Sequence, residues 1–296
     1  MSLTDFHPEL RSVARYLPRA PISPVTLPVI RRLERLYRFR RPSDVEVLTT
    51  SGGIQIRLHR PPQLSEPGPA LLWIHGGGYM FGTAQQDDRL CRRLARQLGI
   101  TVAATEYRLA PEHPYPAGLD DCHTALTWLS RLPAVDASRI AIGGASAGGG
   151  LAAALAFTAR DRGEITPAAQ LLVYPMLDDR SVHHTHLDDL ESRLWNRRSN
   201  KFGWRAYLGG ADPAVAVPAR RTDLAGLAPA WIGVGTLDLF HDEDVAYARA
   251  LRAADVACEL EVVDGAFHGF DQIVSRSSIA QRFFDGQAAH LQTAFA

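Results

Sequence analysis

The chain has 296 residues, enough to bury a full core in one large α/β domain or two small ones, and its 32 Lys+Arg balance its 32 Asp+Glu. That balance leaves no net field to recommend nucleic acid or an acidic membrane as a partner. With 46% hydrophobic residues and no apolar run near the roughly 18 needed to cross a bilayer, the composition is that of a globular protein without stable membrane insertion.

The N-terminus is interrupted by Pro8, Pro18, Pro21, Pro24 and Pro28 and lacks the apolar stretch of a secretion signal. Val29, Ile30, Leu33, Leu36 and Tyr37 recur at helical spacing and predict one apolar face. Arg31, Arg32, Arg35, Arg38, Arg40 and Arg41 cover the other, which reads as a solvated face rather than an anion-binding one. Residues 1–41 therefore stand apart from the sheet, as a segment that packs elsewhere. Cys91, Cys122 and Cys258 are odd in number, far apart and outside any C-x-x-C spacing, so they read as free thiols and point to the cytoplasm.

Val45 and Val47, then Ile54, Ile56 and Leu58, alternate with polar residues around Thr50-Ser51-Gly52-Gly53, the pattern of a β-hairpin. A Pro-rich connector, Arg60 to Pro69, leads to the apolar run Ala70 to Ile74, which suits a strand buried on both faces. From there strands and helices alternate. Helices are predicted over Asp87 to Leu98 (closed by Gly99), Asp120 to Leu129, from Ala147 onward, Glu243 to Ala254 and from Ile279. Strands are predicted over Ile100 to Tyr107, Arg139 to Ile142, Ala169 to Tyr174, Ala230 to Val234 and Leu260 to Val263. This alternation predicts a mostly parallel central sheet with helices on both faces. Residues 177–226 interrupt it with charges, histidines and the aromatics Trp195, Phe202, Trp204 and Tyr207, far more chain than a crossover requires. Neither they nor residues 1–41 have a core of their own. They are expected to pack on each other.

Four signals fall at the carboxyl ends of strands, where sites form in such sheets. Gly144-Ala145-Ser146-Ala147-Gly148 fits G-x-S-x-G, a strand turning directly into a helix with its serine lifted above the sheet. His75-Gly76-Gly77-Gly78 ends another strand, and its glycines let backbone amides approach a substrate oxygen. Asp238 and His268 follow two later strands, giving the order Ser…Asp…His. Serine is a weak nucleophile and needs a base, which a histidine with a pKa of about 6.5 supplies. A carboxylate fixes the imidazole tautomer, and the amides of Gly77, Gly78 and Ala147 are candidates for holding a tetrahedral oxyanion. Asp242 competes with Asp238 but reads better as a cap for the helix beginning there.

Together His75-Gly-Gly-Gly-Tyr79, Tyr107-Arg-Leu-Ala-Pro-Glu112, Tyr115-Pro-Ala117, Gly144-Ala-Ser-Ala-Gly-Gly149, Tyr174-Pro175, Asp238 and His268-Gly-Phe270 resemble the hormone-sensitive-lipase-like esterases of the α/β-hydrolase fold. The resemblance implies a helical cap built from residues 1–41 and an insertion at about 177–226, on a catalytic domain of residues 42–296. It also implies hydrolysis of short- to medium-chain acyl esters, small-molecule substrates, through an acyl-enzyme and without a cofactor. Ala145 stands where the family usually has Asp or Thr, which leaves the subgroup and the contacts of a homodimer open. Leu239 stands where Pro is common. Cleavage of amides, formamides or thioesters by the same triad, and a non-catalytic ligand-binding protein on the same fold, remain as alternatives. His183-His184-Thr185-His186 with Asp188 and Asp189 fits no zinc spacing, so no metal is expected there.

Overall fold

Strands form wherever the sequence runs apolar between glycine- or proline-rich turns. In the computed structural model, which describes residues 3–19, 22–37, 45–61, 67–185 and 192–296, they are β1 (Glu46–Thr49), β2 (Gln55–His59), β3 (Gly68–Ile74), β4 (Thr101–Glu106), β5 (Val135–Ala145), β6 (Gln170–Val173), β7 (Ala230–Gly235) and β8 (Cys258–Val263). They make one sheet in the order β1-β2-β4-β3-β5-β6-β7-β8. The hairpin pairs antiparallel, with Thr49 opposite Gln55, and β2 joins β4 antiparallel. All pairings from β4 to β8 are parallel. The helices are α1 (Arg11–Ala14), α2 (Leu27–Tyr37), α3 (Asp88–Leu98), α4 (Ala117–Ser130), α5 (Ala147–Arg162), α6 (Arg197–Leu208), α7 (Pro213–Ala216), α8 (His241–Ala253), α9 (Phe270–Ile273) and α10 (Ser278–Ala294).

Side chains of β3 alternate between two cores, as a period of two requires. Ala70, Leu72 and Ile74 face the layer of α4, α5 and α8, while Leu71 and Trp73 face that of α3 and α10. The serine-bearing strand is longer than the four residues Arg139 to Ile142 read as strand, because Val135 already pairs with Gly68 and the strand continues to Ala145.

The described residues of 177–226 form α6, α7 and short 3₁₀ turns, and they touch the N-terminal segment directly. The amide of Leu194 donates to the carbonyl of Pro18 (2.9 Å), Arg193 Nε to that of Ala14 (2.8 Å) and Ser199 Oγ to that of Ile22 (3.1 Å). The orientation of α2 departs from the pattern. Leu27 is buried, but Val29, Leu33 and Leu36 face outward. Arg31 turns inward, donating to the carbonyls of Met80 (2.7 Å) and Ala110 (2.5 Å) and to Glu112 (2.7 Å), and Glu34 accepts from the Gly82 amide (2.9 Å). The expected solvated arginine face is thus partly the inward one, because the carbonyls of Met80 and Ala110 and the amide of Gly82 take polar partners from the helix. Arg38, Arg40, Arg41 and the boundary at residue 41 lie outside the described residues, as does part of the Arg60 to Pro69 connector.

One buried ion pair ties the antiparallel edge to the helical layer. Arg57 on β2 grips Asp88 at the start of α3 through two hydrogen bonds of 2.7 and 2.5 Å, with His59 Nε2 3.4 Å from the same carboxylate. Removing one partner strands the other charge away from water. Arg57→Met should lower unfolding free energy by about 3 kcal/mol, measured by urea denaturation. A loss below about 1 kcal/mol would show the pair to be no better than an exposed one.

Candidate active site

β5 ends at Ala145 and α5 begins at Ala147, so Ser146 alone makes the turn. Its φ of 56° and ψ of −123° lie where non-glycine residues are strained. The turn closes only because its neighbours lack side chains. A Cβ on Gly144 would collide with the carbonyls of Gly148 and Ile74, and one on Gly148 with those of Ile74 and His75. The Ser146 amide donates to Val173 on β6 (2.9 Å), which fixes the turn to the neighbouring strand.

His268 lies in the loop after β8, and its Nε2 is 3.0 Å from Ser146 Oγ. Its Nδ1 is 2.8 Å from Asp238 Oδ2, in the turn after β7. The other oxygen of Asp238 accepts from the amide of Phe240 (3.0 Å), so the carboxylate is held on both sides. All three side chains are buried. The imidazole sits between two rings that meet it edge-on, Tyr174 at 4.7 Å and Phe240 at 5.2 Å between centroids. Neither ring was singled out from the sequence as part of the site. Tyr174 carried a signal in the Tyr-Pro pair ending its strand, and Phe240 carried none. Asp242 does not cap α8: Phe240 occupies the cap position, and the Asp242 side chain is 61% exposed beside His241 Nδ1 at 2.9 Å. The competing acid is therefore remote from the imidazole because the first turn of α8 points it to solvent.

Gly76, Gly77 and Gly78 line a cavity of about 270 Å³ together with Ser146 and His268. Gly77 (φ 130°) and Gly78 (φ 55°) adopt backbone that side chains resist. A Cβ on Gly78 would strike the indole of Trp195, which closes the cavity from the insertion. Ile22 and Ile30 close it from the N-terminal segment. Ala147 is the first residue of α5, directly after the serine. His183 and His184 are exposed at the end of a short 3₁₀ turn, whereas His186, Asp188 and Asp189 lie outside the described residues. Among the described residues no group of three or more His, Cys, Asp or Glu is placed to hold a metal ion.

Known proteins share the fold that carries this site. Residues 71–272 match the model of a family described as having the alpha/beta hydrolase fold. Esterase LipI of Mycobacterium tuberculosis is 33% identical over 280 residues, covering 91% of this chain and 83% of that protein. The ethyl acetate hydrolase of Pseudomonas putida is 35% identical, with 77% of this chain and 75% of the relative covered. A solved bacterial heroin esterase superposes with a TM-score of 0.90 at 34% identity, over 100% of both chains.

Behind the cavity lie two further carboxyl groups. Asp87 accepts from Trp73 Nε1 (2.8 Å) and from Gln272 Nε2 (3.3 Å), and Gln272 also lines the cavity. Asp271 accepts from the hydroxyl of Tyr174 (2.9 Å). Burial pushes Asp87 up to about 7, aided by the charges of Asp271 and Asp88, and pushes Asp271 up to about 6. A carboxyl raised on folding favours the folded state fully below its unfolded pKa, and that contribution fades as pH climbs to the folded value. For Asp87 the window runs from about pH 4 to pH 7. Asp87→Asn cannot ionise and keeps an acceptor for Trp73. The variant should gain on the wild type across that window, by on the order of 4 kcal/mol at pH 7.5 relative to pH 4. Parallel denaturation curves at the two pH values measure the difference, and an unchanged gap would contradict it.

Proposed function

The chain belongs to the α/β-hydrolase family and is a carboxylic ester hydrolase, and on that premise we propose that Ser146, His268 and Asp238 carry the reaction. What supports the assignment is the unbroken chain Ser146 Oγ, His268 Nε2, His268 Nδ1, Asp238 Oδ2, at 3.0 and 2.8 Å, on a serine held at positive φ.

In this reading His268 Nε2 takes the hydroxyl proton as Ser146 Oγ attacks the ester carbonyl. Asp238 holds Nδ1–H, so the free lone pair faces the serine, and its charge stabilises the imidazolium formed. The carbonyl oxygen becomes an oxyanion beside Gly77, Gly78 and the first amide of α5, that of Ala147. One such donor contributes about 3 kcal/mol. As the tetrahedral intermediate collapses, His268 returns the proton to the departing alcohol and an acyl-serine remains. Water, deprotonated by the same imidazole, then releases the acid and restores the serine.

Residues 1–41 and 177–226 act in this proposal as a cap over a catalytic domain of 42–296. The support is that Ile22, Ile30, Leu194 and Trp195 line the cavity and that the two segments are hydrogen-bonded to each other. A cavity of about 270 Å³ suits a short acyl group, in keeping with a relative named for ethyl acetate. Among the described residues no helix is long and apolar enough to cross a membrane. We keep the cytoplasm as the compartment because Cys91 and Cys122 are buried free thiols and Cys258 is unpaired.

Ser146→Ala should leave the fold intact and cut turnover by on the order of 10⁶, and a phosphonate reagent should label only the wild type. Asp238→Asn should lower kcat by roughly 10⁴ while Asp242→Asn stays within about threefold of wild type. The opposite ranking would move the acid to Asp242. Acyl length is read with nitrophenyl esters from acetyl to dodecanoyl, run beside an amide, a formamide and a thioester. The wild type should favour the short acyl esters, and Trp195→Ala should shift the optimum to longer chains by removing the wall against Gly78. An unaltered profile in that variant would place the acyl group elsewhere.

A further inference from the structure

The two sides of α2 are occupied in the reverse of the order that water selects. Inward lie Arg31 and Glu34, hydrogen-bonded to loop carbonyls and a loop amide. Outward lie Val29, Leu33 and Leu36 at 59%, 58% and 61% exposure, with Val25 at 83% in the turn before the helix. At 3.6 residues per turn these side chains form one stripe running the length of the helix. Exposed Arg32 and Arg35 follow one edge of it. From residue 10 to 37 the chain carries Arg11, Arg15, Arg19, Arg31, Arg32 and Arg35 against a single acid, Glu34, which is spent on the Gly82 amide. Glu112, the neighbouring acid at this helix, is paired with Arg31.

An aliphatic stripe edged by arginines, with Glu34 and Glu112 already engaged, matches the requirements of a helix lying in the plane of a lipid headgroup layer. It fits a second copy of the chain less well. An antiparallel twofold contact along the stripe would set Arg32 and Arg35 against their own counterparts. We propose that the outward face of α2 docks on an anionic phospholipid surface, with Val29, Leu33 and Leu36 at the acyl boundary and Arg32 and Arg35 on headgroup phosphates. Docking is reversible adsorption by one short helix, not insertion of a span. Ile30, on the inward side of the same helix, lines the cavity, so adsorption brings the cavity wall to the lipid layer. The inference stands on α2 alone and holds whichever residues carry the chemistry.

Sedimentation of the full chain with vesicles tests it. Vesicles of phosphatidylcholine with phosphatidylglycerol should bind the protein at least about tenfold more tightly than phosphatidylcholine alone, and added salt should weaken the binding. Leu33→Glu, and separately Arg32→Glu with Arg35→Glu, should each lower that partition by about tenfold or more. Both variants should keep full turnover of a soluble short-chain ester, since none of the three residues lines the cavity, and this also reports their folding. Three outcomes overturn the proposal: equal affinity for neutral and anionic vesicles, binding retained in the double arginine variant, or no binding at all. A wild type that self-associates without lipid, and that Leu33→Glu renders monomeric, would assign the face to a second copy and overturn it as well.

Discussion

At Ser146 a buried strand becomes a helix within one residue, and the φ of 56° that this demands has to be stabilised by everything packed around it. The backbone of the strand and of the preceding loop supplies the stabilisation. Gly148 lies so close to the carbonyls of Ile74 and His75 that the glycine loop and the Ser146 turn occupy each other's side-chain space. The Ser146 amide is tied to β6, and Met176 and Gly150 both donate to the Ser146 carbonyl at 3.0 Å. Three central strands, β3, β5 and β6, therefore fix the serine, the glycine loop and Tyr174 as one unit. The acid and the imidazole arrive from β7 and β8, one and two strands farther out, and meet that unit at its surface.

A site that stabilises an oxyanion, as proposed, would be harmed by fixed negative charge nearby, yet acids lie around it. Asp87, Glu243 and Asp244 are buried and Asp271 is half-buried. Burial resolves the conflict by pushing each of them toward the neutral form, Asp87 and Asp271 to about 7 and about 6, Glu243 and Asp244 well above their ordinary range. Asp238 differs from them in its partners, an imidazole on one oxygen and a backbone amide on the other. Glu243 has a second task. It accepts from the amides of Leu177 and Asp178, fastening the first residues of the insertion to α8.

The parts of the molecule that the sequence made legible are those where a backbone constraint forces residue identity. Gly144 and Gly148 cannot be anything larger, Gly77 and Gly78 need unusual φ values, and the alternation along β3 follows from the pleat. The spacing of Val29, Leu33 and Leu36 gave a helix correctly but the wrong side of it. Periodicity reports which residues share a face, while the direction of that face depended on Met80, Ala110 and Gly82, distant in sequence and recognisable only once folded. Asp242 failed for a related reason, since the cap position fell on Phe240, two residues earlier. Trp195 and Leu194 lie in an insertion without regular alternation, so no pattern could place them at the cavity.

The acceptors that Arg31 uses have a consequence of their own. Two of its three partners are main-chain carbonyls, those of Met80 and Ala110, and the partner of Glu34 is a main-chain amide. The two carbonyls persist through substitution of the residues that bear them, whereas the amide is held at Gly82, where a Cβ would strike the Gly76 carbonyl. The attachment of α2 is thus indifferent to most sequence drift in the loops beneath it, and the helix behaves as an interchangeable part. A relative's helix carrying Arg and Glu three residues apart should seat in the same place while presenting a wholly different outer surface, so this face can diversify without renegotiating the fold.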